Sequence, residues 1–269
     1  RCSKRYPELE WLTYYASSAE RDRGFRWEPE AILAPGDSTV GRIVEFGGEQ
    51  LFLHHIVSRR PALALPKLVR AGEDGSIRLL PWPGLARIEL PAEAAPLPLG
   101  LLVKKGHAIG ELSAGDTPRL RSTGGTATAF AEGERRDLRL RVLLDWRGAA
   151  RAGVLIRDQA ADGRSIGLFF DRASGEATVA ATRRTGFGQY ASKTRHRVRL
   201  VPSEMEAVAV EAVARSEGVD WYLDGALVLT TVHDEAPRSG RVGFVVERGE
   251  LAIGGLELRE LREEPTAPR

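Results

Sequence analysis

His54-His55 are the first residues that could hold a metal or move a proton. They lie in a run, Leu51–Val57, whose composition predicts a strand, and neighbouring strand residues point to opposite faces. They therefore cannot chelate one ion together. One is expected in a core and the other in solvent. Trp146, Trp221 and Tyr222 offer aromatic faces of the kind that stack on sugar rings, and equally of the kind that fill cores. Asp158, Asp162 and Asp171 could supply oxygens to calcium, but their spacing is not that of a dedicated loop. Thr123-Gly124-Gly125-Thr126 is glycine-rich, yet it lacks the lysine and helix of a phosphate loop and reads as a turn. No Ser/His/Asp or Cys/His constellation can be assigned from spacing. No cofactor and no metal are expected.

Composition narrows the classes. The 269 residues suffice for one large or two ordinary domains, and 42% hydrophobic with 28% charged residues suits a sizeable core. Basic and acidic residues number 39 and 37, a net charge of +2. That balance argues against a nucleic-acid or membrane-surface partner, because both require an excess of one sign. Cys2 is the single cysteine, so there is neither an internal disulfide nor a cysteine metal site. The absence of any apolar run of about 18 residues argues against a transmembrane helix. A soluble protein is expected, cytoplasmic or secreted. The chain opens on Arg1 and is read as a piece whose upstream part lies outside it.

The elements that would position these residues are strands throughout. Tyr6–Tyr15 and Phe25–Leu33 are aromatic-rich strand candidates, with Pro29 at an edge or bulge. Gly47-Gly48 joins Gly41–Phe46 to the strand after it as a hairpin. An apolar run, Ala62–Val69, is cut by Pro66. Asp74-Gly75 then turns into Ser76–Leu80, which ends between Pro81 and Pro83. Residues 91–100 carry three prolines and read as a linker or a strand-entry segment. Beyond it, Asp137–Trp146 alternates, Leu138, Leu140 and Val142 against Arg139 and Arg141, as a half-buried strand must. Gly153–Arg157, Ile166–Asp171, Glu176–Thr182 and His196–Val201 follow the same rule, with 183–195 read as a loop. Glu204–Arg215 has helix-favouring composition but two-sided apolar spacing, and is taken as a strand. Val219–Leu223, Asp224-Gly225 and Ala226–Leu229 form a hairpin with a type I′ turn. Gly240–Val246 and Leu251–Leu261 close the region. Ten or more strands without a helix predict an antiparallel two-layer sandwich over 101–262, with 263–269 a tail.

The order Ala62-Leu63-Ala64-Leu65-Pro66-Lys67, Asp74-Gly75, Leu79, Pro81 and Leu85 resembles the end of the catalytic propeller in glycoside hydrolase family 32, the β-fructofuranosidases. Lys67 stands where that family usually has arginine. Phe170-Asp171-Arg172-Ala173-Ser174-Gly175 and Tyr222-Leu223-Asp224-Gly225 resemble features of the family's C-terminal sandwich, and also occur in concanavalin-like sugar-binding sandwiches. The resemblance implies an all-β chain: propeller blades over 1–90, incomplete, followed by a concanavalin-like sandwich.

The resemblance also says where acid chemistry would lie. Glycosidases cut with two carboxyls. The family's nucleophile sits in Trp-Met-Asn-Asp-Pro and a second aspartate in Arg-Asp-Pro. Neither motif is present; Met205 is followed by Glu206, and Arg157-Asp158 by Gln159. The family's acid glutamate would fall where Arg5 precedes Tyr6-Pro7. Glu8 or Glu10 could stand in, and an acid facing Trp11 would have its pKa raised by desolvation; an ordinary exposed glutamate is the other reading. Trp11, Trp221 and Tyr222 are the candidate substrate contacts. The implied protein is the C-terminal portion of a glycosidase acting on fructosyl or related glycosides by retaining chemistry. Its nucleophile would lie outside this chain, its partners being carbohydrate and upstream propeller blades. The alternatives are a non-catalytic carbohydrate-binding sandwich and a structural one packed on a partner domain.

Overall fold

The computed structural model describes residues 12–18, 23–56, 62–72, 75–91, 98–104, 107–108, 110–184, 190–232 and 236–262. Cys2, Glu8, Glu10 and Trp11 lie outside them, as does the tail at 263–269.

Two small antiparallel units open the chain. β1 (Leu12–Ser17) pairs with β2 (Arg26–Pro35). The register jumps from Tyr14↔Ile32 to Ala16↔Trp27, so the stretch around Pro29 bulges out where a missing N–H would break a ladder. β3 (Ser38–Phe46), β4 (Glu49–Ile56), β5 (Ala62–Leu63), β6 (Lys67–Ala71) and β7 (Ile77–Pro81) form a second sheet, in the order β3-β4-β6-β7 with β5 beside β4. Gly47 and Gly48 both take positive φ, 61° and 78°, which is what a two-residue turn between twisted strands requires. A 3-10 turn, Pro83–Arg87, leads out of this sheet.

The remainder is two seven-stranded sheets and a short hairpin. In chain order the strands are β8 (Leu99–Leu101), β9 (Val103–Lys104), β10 (His107–Ala108), β11 (Glu111–Ser113), β12 (Arg119–Arg121) and β13 (Thr126–Ala131). Then come β14 (Leu138–Asp145), β15 (Arg151–Asp158), β16 (Arg164–Asp171), β17 (Glu176–Arg184) and β18 (Tyr190–Arg199). The last are β19 (Ala207–Arg215), β20 (Gly218–Leu223), β21 (Ala226–Val232), β22 (Arg241–Glu247) and β23 (Glu250–Glu260). The first sheet runs β11-β12-β23-β14-β19-β20-β21 and the second β18-β17-β16-β15-β22-β13-β8.

Period-two patterning builds the core between these sheets. Leu138, Leu140, Val142 and Leu144 of β14 point inward with Val154, Ile156, Leu168, Phe170 and Phe244, while Arg141 points out. Trp146 packs against Phe170 with ring centroids 5.5 Å apart, and its Nε1 donates to the Glu204 carbonyl at 3.0 Å. Asp224 and Gly225 take φ of 48° and 80°, the pair of left-handed residues a type I′ hairpin needs.

Two sequence expectations change. Residues 183–195 are not simply a loop: β17 runs on to Arg184 and β18 starts at Tyr190, because each strand gains a ladder by extending. Within Glu204–Arg215, Pro202–Met205 is a 3-10 turn and only Ala207 onward is strand. There the helix propensity of alanine and glutamate yields to pairing with β14 on one side and β20 on the other. β8 begins at Leu99, within the stretch read as a linker or a strand entry.

Phe244 is fully buried and Leu143 is half exposed. Phe244→Ala should cost about 3–5 kcal/mol in urea unfolding through its cavity, whereas Leu143→Ala should cost under about 1 kcal/mol.

Candidate functional site: a cleft at the joint

The small sheet β3–β7 sits against the outer face of the first sandwich sheet. Alternation along β20 decides which side chains meet there. Trp221 faces the sandwich core, whereas Asp220 and Tyr222 face outward toward the small sheet. Leu33, Phe52, Val69 and Leu79 from the N-terminal strands close on Val213, Tyr222 and Leu227 to make a second core. The end of β2 is stitched to β21 by backbone: Gly36 bridges Thr230, and Asp37 N–H donates to the Thr230 carbonyl at 2.8 Å. Only glycine fits there, since a Cβ on Gly36 would lie 2.1 Å from that carbonyl oxygen and its φ is +100°. Asp37 then accepts from Val232 N–H at 2.8 Å and lies 3.4 Å from His196 Nε2.

A buried polar cluster sits inside this seam. Lys67 on β6 donates from Nζ to Asp220 Oδ2 at 2.8 Å and to the Leu65 carbonyl at 3.1 Å. The lysine side chain is 0% exposed and the aspartate 8%. Thr230 Oγ1 donates to Asp220 Oδ1 at 2.7 Å. Burial pushes the Lys67 ammonium below its ordinary pKa, opposed by Asp220. Beside it, His54 stacks on Phe52 with centroids 5.2 Å apart, and its Nδ1 lies 2.8 Å from Ser38 Oγ. Its Nε2 is buried with no hydrogen-bond partner. Desolvation first, and the Lys67 charge second, lower the His54 pKa to about 3. His54 is thus a neutral core ring and His55 is exposed, as adjacent strand positions require.

Beside this cluster a cleft of about 470 Å³ opens between β5 with the end of β4 and the β19–β20 turn. Ile56, Leu63 and Leu65 line one side; Val213, Arg215, Glu217 and Asp220 line the other, with Arg136 and Arg238 beyond. The walls come close at Gly218, where a Cβ would lie 2.7 Å from Ile56 Cδ1 and that side chain would have to shift. Glu217 accepts from Arg238 Nη2 at 2.6 Å. Both acidic side chains of the cleft are therefore already bonded, Glu217 to Arg238 and Asp220 to Lys67 and Thr230. Hydrolysis by paired carboxyls needs one acid to donate a proton and one to attack, and the cleft offers neither. What it offers is a set of guanidinium groups and bonded carboxylates beside an apolar wall.

The structure corrects the expectation about aromatics. Trp221 and Tyr222 are 0% and 1% exposed and point to opposite faces of β20, so they cannot form one platform or present a ring to a sugar. Trp146 is equally buried. Asp158, Asp162 and Asp171 do not gather around an ion. Asp158 is buried against Arg241 at 2.7 Å, Asp162 binds its neighbour Arg164 at 2.6 Å, and Asp171 accepts from Ser174 N–H at 2.9 Å. Among the described residues no three His, Cys, Asp or Glu side chains form a metal cluster. The sequence reading missed Lys67 and Asp220 as partners. The available signal was a lysine in an apolar run and an aspartate between two large strand residues.

No protein-family model and no curated sequence matches the chain. Solved structures share its fold. The exo-inulinase of Aspergillus awamori superposes with a TM-score of 0.62 at 11% identity, covering 94% of this chain and 50% of that one. A fructofuranosidase of Schwanniomyces occidentalis, complexed with fructosylnystose, gives 0.51 at 10% identity over 89% of this chain and 51% of that one. The carbohydrate binding module CBM66 of Bacillus subtilis gives 0.50 at 12% identity, covering 63% of this chain and all of that one. This chain spans about half the length of the two enzymes. These likenesses establish a shared all-β fold containing an antiparallel sandwich. Among the described residues no helix is long and apolar enough to cross a membrane.

Folded His54 stays neutral down to about pH 3, whereas the unfolded ring takes up a proton near its ordinary value of 6.5. Its contribution to stability is therefore complete above 6.5 and lost as pH falls toward 3. Urea melts across that window should fall by up to about 1.4 kcal/mol per pH unit more steeply for the wild type than for His54→Gln. Equal slopes would remove the buried neutral ring.

Proposed function

We propose that this chain is the C-terminal portion of a glycoside hydrolase acting on fructosyl or related glycosides. In this reading residues 1–90 are the last blades of a catalytic propeller, 91–100 the connection, and 101–262 an accessory sandwich. The observation that carries it is the likeness to the exo-inulinase, which extends over 94% of the chain and so takes in the N-terminal strands as well as the sandwich. The four-stranded meander β3-β4-β6-β7 has the form of a propeller blade. Its edge strand β3 exposes Val40, Ile43 and Phe46, a suitable surface for a preceding blade. Retaining hydrolysis needs a nucleophile and an acid about 5 Å apart. The nucleophile is assigned upstream of this chain, and Glu8 and Glu10 remain the candidates for the acid, with Trp11 beside them.

The joint cleft then serves as a binding surface for a neutral oligosaccharide, its hydroxyls meeting Arg215, Arg238 and Glu217. A second reading, a non-catalytic carbohydrate-binding module, is favoured by the match to all of CBM66.

The two readings agree that the purified chain binds sugar without cutting it. Incubation with sucrose, inulin or levan should release no fructose; turnover would overturn the placement of the nucleophile elsewhere. Titration calorimetry with inulin and levan fragments should show binding, weakened about 10- to 100-fold in Arg215→Ala through loss of charged hydrogen bonds. Wild-type protein that binds neither polymer would count against both readings.

A further inference from the structure

We propose that the amine of Lys67 and the carboxyl of Asp220 condense to an intramolecular amide, a covalent crosslink between the small sheet and the sandwich. This goes beyond the carbohydrate reading and does not depend on it. The reacting groups already touch, Nζ to Oδ2 at 2.8 Å, across 153 positions of sequence. Strands hold both of them: Lys67 on β6, paired to β4 and β7, and Asp220 on β20, paired to β19 and β21. Neither side chain has room to swing into water, since their exposures are 0% and 8%.

Burial supplies the driving force. Two opposite charges in a dry site carry a desolvation penalty that their attraction offsets only in part. Moving the ammonium proton onto the carboxylate leaves an amine and a carboxylic acid, both uncharged. Burial favours the uncharged amine, as the lowered Lys67 pKa reflects. The nitrogen lone pair then attacks Cγ to form the C–N bond. Thr230 Oγ1, donating to Oδ1 at 2.7 Å, stabilises the negative charge that develops on that oxygen. The nitrogen gives up a proton, the C–Oδ2 bond breaks, and Oδ2 leaves with two protons as water. The sum is amine plus acid giving amide plus one water, with no oxidant or outside reagent. The nitrogen and the leaving oxygen are hydrogen-bond neighbours at 2.8 Å, so the proton passes directly between them. Asp220 also lines the cleft, which gives the released water an exit. The nearby buried pairs Arg139–Glu89 and Arg157–Asp137 lack this chemistry, because a guanidinium is not an acylatable amine.

Denaturing mass spectrometry of the purified chain tests the proposal. The wild type should weigh one water less than its sequence, and proteolysis should yield one branched peptide holding both Lys67 and Asp220. Lys67→Met and Asp220→Ala should show their full sequence masses. Asp220→Asn, which keeps the shape, should close with loss of ammonia and reach the wild-type crosslinked mass. A wild-type chain that is folded by circular dichroism, has its full sequence mass and gives Lys67 and Asp220 in separate peptides would overturn the proposal.

Discussion

The meeting of Lys67 with Asp220 is the constraint on which the arrangement of the two halves depends. A lysine with no exposed surface is tolerable only if its charge is met or removed. Asp220 meets it from the far side of the seam, and Thr230 saturates the remaining carboxylate oxygen. Sliding or tilting the small sheet would strand a charge in an apolar interior, where removing one partner of such a pair costs about 3–5 kcal/mol. The apolar cluster around Phe52, Val69 and Tyr222 holds the surfaces together without direction; the polar pair fixes their register. Gly36 and Asp37 add a second fixed point at β21 through backbone hydrogen bonds.

The cleft follows from this seam. The sandwich has its own core, built from the inward positions of both seven-stranded sheets. The small sheet has no comparable interior and leans on the outer face of β19, β20 and β21. Where the two surfaces diverge beyond Asp220, Ile56 and Leu63 face Arg215 and Glu217 across a gap instead of packing. The gap is therefore walled by different parts of the chain, as ligand sites between packed units commonly are. A second built feature lies on the far side of the sandwich. Gly167 and Gly243 leave room for Phe169 and Phe130 to lie flat on the sheet, with Arg151 and Arg241 stacked over the rings at 4.6 and 4.0 Å. Those arginines cover apolar area with their stems while keeping their charge near water.

Much of the fold was legible because strand patterning is local. Leu138, Leu140 and Val142 alternating with Arg139 and Arg141 state which face meets the sandwich core, and Asp224-Gly225 states where the chain reverses. His54 and His55 were separable into core and solvent by the same alternation. Residues 183–195 were misread because polar composition resembles a loop when the pairing partner is unknown. The start of β19 was blurred because helix propensity and strand spacing competed over the same residues until neighbours on both sides decided.

The site was much less legible, for a physical reason. Sequence alone determined that the chain is all-β, that its sandwich is antiparallel, and that a paired-carboxylate motif of the expected kind is missing. Only the tertiary structure decided that Lys67 and Asp220 meet, that Trp221 and Tyr222 are sealed into separate cores, and that a cleft opens beside them. Alternation is a property of neighbours in sequence and survives without a fold. An encounter across 153 positions depends on how two sheets stack, and no local pattern encodes that.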